Sequence, residues 1–210
     1  MKLIETRPSA TSGERVVRLT NAGRKAALAG VDPKEQWTRR WDGRWRLVMF
    51  DVPEHENRRR VELRRALRVL RFGYLQNSVW ISPRPMDQIR RQLRDAEINP
   101  ESLVLFEGRP AGGESDQDLV CGAWDFPALQ ALYDDWSRVA DGAPNPKAGR
   151  PQLAQDVRAW AARERSAWAA IANRDPFLPE ALLPTGYAGR EVWRRRVDLL
   201  RALGQSLTGA

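Results

Sequence analysis

The hydrophobic pattern changes period along the chain. Near the start, "KLIETR" and "RVVRLT" are short β-type runs joined by the turn formers "PSATSGE", which predicts a hairpin with a long tip. "AGRKAALA", with Thr20 or Asn21 to cap it and Gly30 to stop it, predicts a compact helix. In "RWRLVMF" the apolar positions are nearly continuous, as in a strand buried on both faces or nearly so, and Pro53 ends it. Leu63, Ala66, Leu67 and Leu70 then recur at i, i+3, i+4 and i+7, so the spacing predicts a helix from Glu56 to Phe72 with Gly73 just past its end. "YLQNSVWIS" reads as one strand, and "MDQIRRQLRDAEI" as a helix with Ile89 and Leu93 inward. "SLVLFEG" and "DLVCGAW" read as further strands. Alternating strands and helices with a right-handed crossover predict a ferredoxin-like split βαβ layer over Gly43 to Trp124.

Past Trp124 the period is helical only. Leu129, Leu132 and Trp136 form one stripe, and Leu153, Val157, Trp160, Trp168 and Ile171 a second. Trp193, Val197, Leu200 and Leu207 form a third. Pro176, Pro179 and Pro184 forbid a continuous helix through "DPFLPEALLP" and predict an extended connection. The expected class is therefore α+β in three parts: a partial winged-helix hairpin over residues 1–30, a ferredoxin-like middle domain over 43–124 and an α-helical domain over 125–210.

Charge adds a partner class. The 210 residues carry a formal net charge of +8 and a pI of about 10.5, which favours an anionic partner such as nucleic acid or a phosphorylated cofactor. Only four of the basic residues are lysines (Lys2, Lys25, Lys34 and Lys147), and guanidinium groups suit phosphates and carboxylates. Arg60, Arg64, Arg68 and Arg71 share one face of the first middle-domain helix, either as a phosphate-binding stripe or as a solvated face balanced by the acidic segment Asp116 to Asp141. The single cysteine, Cys121, excludes an internal disulfide, and with the single histidine, His55, leaves no Cys/His zinc set. No run of about 18 apolar residues and no signal-peptide core occur, so the expected location is the cytoplasm, with no membrane partner.

Catalytic chemistry has one candidate. Asp51, where the first middle-domain strand stops, has the position of a Mg²⁺ ligand for phosphodiester hydrolysis, or of a polar turn that helps cap the next helix. His55 reads as a turn residue and Cys121 as a small buried hydrophobe in mid-strand. "AGGES" lacks the pattern and context of a phosphate-binding loop. The tryptophans Trp45, Trp80, Trp160 and Trp193 are expected in the core, and a few tryptophans in a pocket for an aromatic ligand.

"LTNAGRKAAL", "WDGRWRLVMFDVPE", "RRRVELRRALRVLRFGYLQNSVWISP" and "RDPFLPEALLP", in that order, resemble the PaaX-type family of bacterial repressors of phenylacetic acid degradation. That resemblance implies a winged helix that binds double-stranded operator DNA, a ferredoxin-like middle domain and a helical C-terminal domain. It implies release from DNA by an aryl-coenzyme A thioester, typically phenylacetyl-coenzyme A, and no enzyme activity, catalytic residue or metal. Here the wing hairpin is present without the helices that enter the major groove. Arg7 and Arg15, which flank its loop, are the expected DNA contacts, as phosphate binders. The middle part also resembles the small CRISPR-associated ferredoxin-like nuclease through "DVP" at Asp51 to Pro53 and "QNSV" at Gln76 to Val79, a fold that pairs and so implies a homodimer. The alternatives are a Mg²⁺-dependent endoribonuclease built on Asp51 and a truncated sensor or dimerisation module that does not bind DNA itself.

Overall fold

The computed structural model describes residues 4–8, 15–19, 32–52, 56–98, 103–145 and 150–208. Strands β1 (Ile4–Pro8) and β2 (Arg15–Leu19) pair antiparallel as a two-stranded hairpin. The helix expected over 22–29 lies outside the described residues. A single turn, α1 (Pro33–Trp37), follows, with Pro33 in its first turn and Asp32 accepting from the Lys34 N–H at 2.9 Å.

The middle of the chain runs β3 (Trp45–Met49), α2 (Asn57–Val69), β4 (Gly73–Gln76), β5 (Val79–Ser82), α3 (Met86–Asp95) and β6 (Val104–Gly108). The strands form one antiparallel sheet ordered β4-β5-β3-β6, the ferredoxin-like arrangement. "YLQNSVWIS" is therefore a hairpin and not one strand. Asn77, at φ +47°, turns the chain between β4 and β5, a conformation its short amide side chain tolerates. Period-2 alternation continues across so tight a turn, so apolar pattern alone does not reveal it.

Period 2 also divides β3 between two cores. Val48 and Phe50 face the helices and pack with Leu67, Trp80, Ile89 and Leu93. Trp45 faces the other side with Ile81. That second face is covered by α4 (Asp116–Ala123), the segment expected as a strand from "DLVCGAW". Ser115 accepts from the Asp118 N–H while Asp118 accepts from the Ser115 N–H, a reciprocal cap that starts a helix. Val120 and Ala123 then bury against Trp45 and Ile81, and Asp116 accepts from the Trp45 indole at 2.7 Å. Cys121 is consequently exposed on a helix, not buried in a strand.

The helical part comprises α5 (Phe126–Asp141), α6 (Arg150–Arg174) and α7 (Gly189–Thr208). Leu129, Tyr133, Trp136, Trp168, Ile171 and Val192 form its main core, while Leu153, Trp160 and Leu203 form a second cluster. On α7 the inward face is one position off the expected stripe: Val192, Arg196 and Leu203 are buried, Trp193 and Val197 are half-buried and Leu200 is exposed. Arg196 turns inward because Glu164 of α6 receives it at 2.6 Å, a pairing no hydropathy pattern records.

Candidate functional site

The two halves of the molecule meet around the "DPFLP" run. Asp175 follows the end of α6, its N–H donating to the Ile171 carbonyl at 2.8 Å, and its carboxylate is fully buried. Oδ1 accepts from the Phe177 N–H at 2.6 Å; Oδ2 accepts from the Tyr187 hydroxyl at 2.6 Å and from the Tyr133 hydroxyl. Burial drives the carboxyl above its ordinary range, and the two hydroxyls, the Phe177 N–H and the Arg71 charge oppose that shift. Burial and the neighbouring Asp175 push both tyrosines up in turn.

Two backbone features hold this knot closed. Phe177 sits at φ +46°, a left-handed conformation that costs an aromatic residue of order 1 kcal/mol and points to a structurally determined turn. A Cβ on Gly189 would collide with the hydroxyls of Tyr133 and Tyr187, so only glycine lets the first turn of α7 pass so close. Pro176, Phe177, Leu178 and Pro179 are all buried, and Trp37 meets Phe177 and Tyr187 edge-on at 6.1 and 6.2 Å.

The middle domain reaches the knot through Arg71. Helix α2 closes with the Phe72 N–H donating to the Leu67 carbonyl at 3.0 Å, which makes Arg71 the left-handed residue past its end, at φ +64°. Gly73 instead permits the close approach of β4 to α4, since a Cβ there would lie 2.7 Å from Ala123 and Trp124. Arg71 donates from Nη1 to the Asp175 carbonyl at 2.5 Å and lies over the Phe177 ring at 4.9 Å. The remaining arginines of the stripe are also engaged within the protein. Arg60 donates to the Val52 carbonyl at 2.6 Å, Arg64 to the Asn77 carbonyl at 3.3 Å, and Arg68 covers the Trp80 ring at 5.5 Å. The acidic segment does not balance this stripe. Its members are engaged elsewhere: Asp116 by the Trp45 indole of β3, Asp118 and Asp125 in the caps of their own helices, Asp134 by Gln130, Asp135 by Arg138 and Asp141 by Arg195 of α7.

Beside the knot, a groove of about 400 Å³ runs between the sheet and the helical part. Phe72, Tyr74, Trp80, Trp124 and Phe126 supply its aromatic walls, and Arg68, Arg71 and Arg174, with the single carboxylate Asp125, its charge. Tyr74 and Trp80 meet edge to face at 5.1 Å. Concavity, apolar walls and a few polar groups are what a small organic ligand needs, and an arginine rim suits an anionic one. Of the groove residues, Arg68 and Arg71 had been singled out from sequence, as part of a candidate phosphate-binding stripe; for the aromatic walls the signal present was the density of tryptophan.

Asp51 is exposed and lines a separate hollow of about 510 Å³ with Arg59, Glu62, Glu97 and apolar residues. Glu62 pairs with Arg58 at 3.0 Å, and among the described residues no three His, Cys, Asp or Glu side chains gather as a metal site. His55 lies outside the described residues. Arg7 stands opposite Val16, and Arg15 opposite Pro8, at the loop end of the β1–β2 ladder. Among the described residues no helix is long and apolar enough to cross a membrane.

The architecture is thus a ferredoxin-like sheet domain joined to a helical domain through a buried aspartate knot. Residues 38–120 match the family described as "PaaX protein central Cas2-like domain". In overall fold the chain is similar to "Uncharacterized protein Rv0674 from Mycobacterium tuberculosis", at 20% identity and a TM-score of 0.58 over 98% of this chain and 77% of that one. No curated protein matches the chain.

Proposed function

We propose that this PaaX-like protein is an effector-responsive transcriptional repressor of an aromatic-acid catabolic pathway, that it acts in the cytoplasm, and that its effector is an aryl-coenzyme A thioester such as phenylacetyl-coenzyme A. The observation that carries this reading is the groove of about 400 Å³ beside the Asp175 knot, with aromatic walls for an aryl group and Arg68, Arg71 and Arg174 for phosphates. Its position gives a ligand leverage, because a molecule there touches both the sheet domain and α5.

The operator contact in this reading is the hairpin, with Arg7 and Arg15 on phosphates, so that replacing both with Ala weakens binding to all DNA sequences alike. The active unit is a homodimer. Edge strand β6 favours this by leaving Val104 and Phe106 more than half exposed, an apolar edge that a second copy would cover.

A titration of tryptophan fluorescence with phenylacetyl-coenzyme A, beside free coenzyme A and phenylacetate, tests the effector. Trp80 and Trp124 line the groove and serve as reporters. Saturable quenching by the thioester alone is the expected result; equal responses to all three, or none, would overturn the effector assignment.

A further inference from the structure

Arg71 belongs to two places at once: it lines the aromatic groove, and it holds the "DPFLP" turn from the sheet-domain side. Its hold uses only neutral groups. Nη1 donates to the Asp175 carbonyl at 2.5 Å, and the guanidinium lies over the Phe177 ring at 4.9 Å. The Asp175 carboxylate attracts Arg71 but spends its oxygens on Tyr133, Tyr187 and the Phe177 N–H, so no ion pair with Arg71 forms among the described residues.

The contact is made between two backbones that are both left-handed without glycine. Arg71 stands at φ +64° and Phe177 at φ +46°. Such conformations persist only where the surrounding contacts hold them, so the turn has a second, relaxed arrangement open to it once a contact is withdrawn. Trp37, 5% exposed, meets both Phe177 and Tyr187 edge-on. It belongs to α1, which connects the β1–β2 hairpin to the sheet domain. Groove, Arg71, Phe177 and Trp37 are therefore successive links in one run of contacts.

An oxyanion is a better partner for Arg71 than the one it has. A charge-assisted bond from a guanidinium to a phosphate or carboxylate is about twice as strong as a bond between neutral groups, and the fork suits it geometrically. A ligand anion in the groove thus binds the released arrangement of Arg71 better than the held one, and that difference is what shifts an equilibrium.

We infer that Arg71 is the coupling residue of the groove: an anionic ligand that draws its guanidinium off the Asp175 carbonyl and the Phe177 ring releases the "DPFLP" turn, and with it Trp37 and α1. This supplies a route from effector to hairpin. Its ligand step rests on the function proposed above; the hold of Arg71 on α1 does not.

The test is hydrogen–deuterium exchange of the full chain, read over residues 32–39, where the Gln36, Thr38 and Arg39 N–H groups close α1, with the β3–β5 ladder as internal control. Without ligand, Arg71→Gln should speed exchange over 32–39 by about tenfold and leave the control unmoved. Phenylacetyl-coenzyme A should do the same to the wild type and nothing further to Arg71→Gln. Trp37 does not line the groove, so Trp37→Leu reads the coupling from its other end and keeps the test available where Arg71→Gln does not fold. By reciprocity, removing a contact that the ligand must break should tighten thioester binding about fivefold, whereas a purely structural tryptophan would leave binding unchanged or weaken it. Unchanged or weaker binding by Trp37→Leu would overturn the coupling, as would exchange over 32–39 that Arg71→Gln leaves unmoved. A thioester that quenches tryptophan fluorescence without speeding that exchange would overturn it while leaving the effector assignment in place. Faster exchange in Arg71→Gln together with no thioester binding would keep the hold of Arg71 on α1 and overturn both the effector reading and the ligand-driven release.

Discussion

Arg196 and Arg84 are buried to the same degree, 7% and 8% exposed, in opposite company. Arg196, on α7, pairs with Glu164 of α6 through Nε at 2.6 Å and Nη2 at 3.3 Å, and its guanidinium lies 4.6 Å from the Trp168 ring centre and 5.7 Å from that of Trp193. The Trp136 indole donates to the same carboxylate at 3.0 Å. Arg84 faces carbonyl oxygens and two further arginines. A buried charge with its partner built in is part of the core. Arg84 has no such partner among the described residues, and it lies where the two halves of the chain meet.

The largest effect separates the two directly. Glu164→Ala strands Arg196 without a counter-charge, and chemical denaturation should show a loss of about 3–5 kcal/mol. If Glu164→Ala instead costs less than Arg84→Met, the distinction between the two sites collapses.

The Asp175 knot stands between these extremes, as a buried carboxylate held by hydroxyls. Asp175→Asn should cost about 1–3 kcal/mol by the same measurement, because Tyr133, Tyr187 and the Phe177 N–H lose a full acceptor. Its pH dependence has a definite sign. The folded-state pKa is raised above the ordinary 3.8, so as pH climbs from 3.8 the unfolded chain releases this proton first. Stability that is present in acid is therefore lost as pH rises toward the folded value. Denaturation midpoints of wild type and Asp175→Asn against pH should show the wild type falling relative to the variant across that window. A wild-type advantage that grows with pH would mean that the fold lowers the pKa of Asp175 instead, and one that does not change with pH would mean that the fold leaves it unshifted.

Tyr187→Phe removes one of the two hydroxyls and should cost about 1 kcal/mol. The smallest expected change is Arg84→Met, within about 1 kcal/mol of wild type in anion-free buffer, since relief of like-charge repulsion offsets two lost hydrogen bonds. A loss several times larger would place Arg84 with Arg196 as a structural arginine.

Much of the sheet domain was legible because its signals are local. Continuous apolar residues marked β3, the i, i+3, i+4, i+7 stripe marked α2, and proline and glycine punctuated the rest. The errors share one physical cause. "DLVCGAW" is apolar enough for a strand, and its helix is decided by the Ser115–Asp118 cap upstream and by the sheet face it covers. The β4–β5 turn at Asn77 and Ser78 interrupts no alternation, and the inward Arg196 contradicts hydropathy outright. The groove was less legible still, since its walls come from β4, β5, α4 and α5 together.

By itself, the sequence determined the α+β class, most elements of the sheet domain, the helical end and the resemblance of the middle part to one family, because periodicity, turn residues and short motifs are properties of neighbouring positions. Tertiary structure alone decided which arginines are neutralised. Arg71, Arg84 and Arg39 come from a helix end, a strand end and a linker, and Glu164 meets Arg196 across 32 residues of chain. Charge compensation depends on distance in space and on exclusion of water, and neither is written in the spacing of residues along the chain.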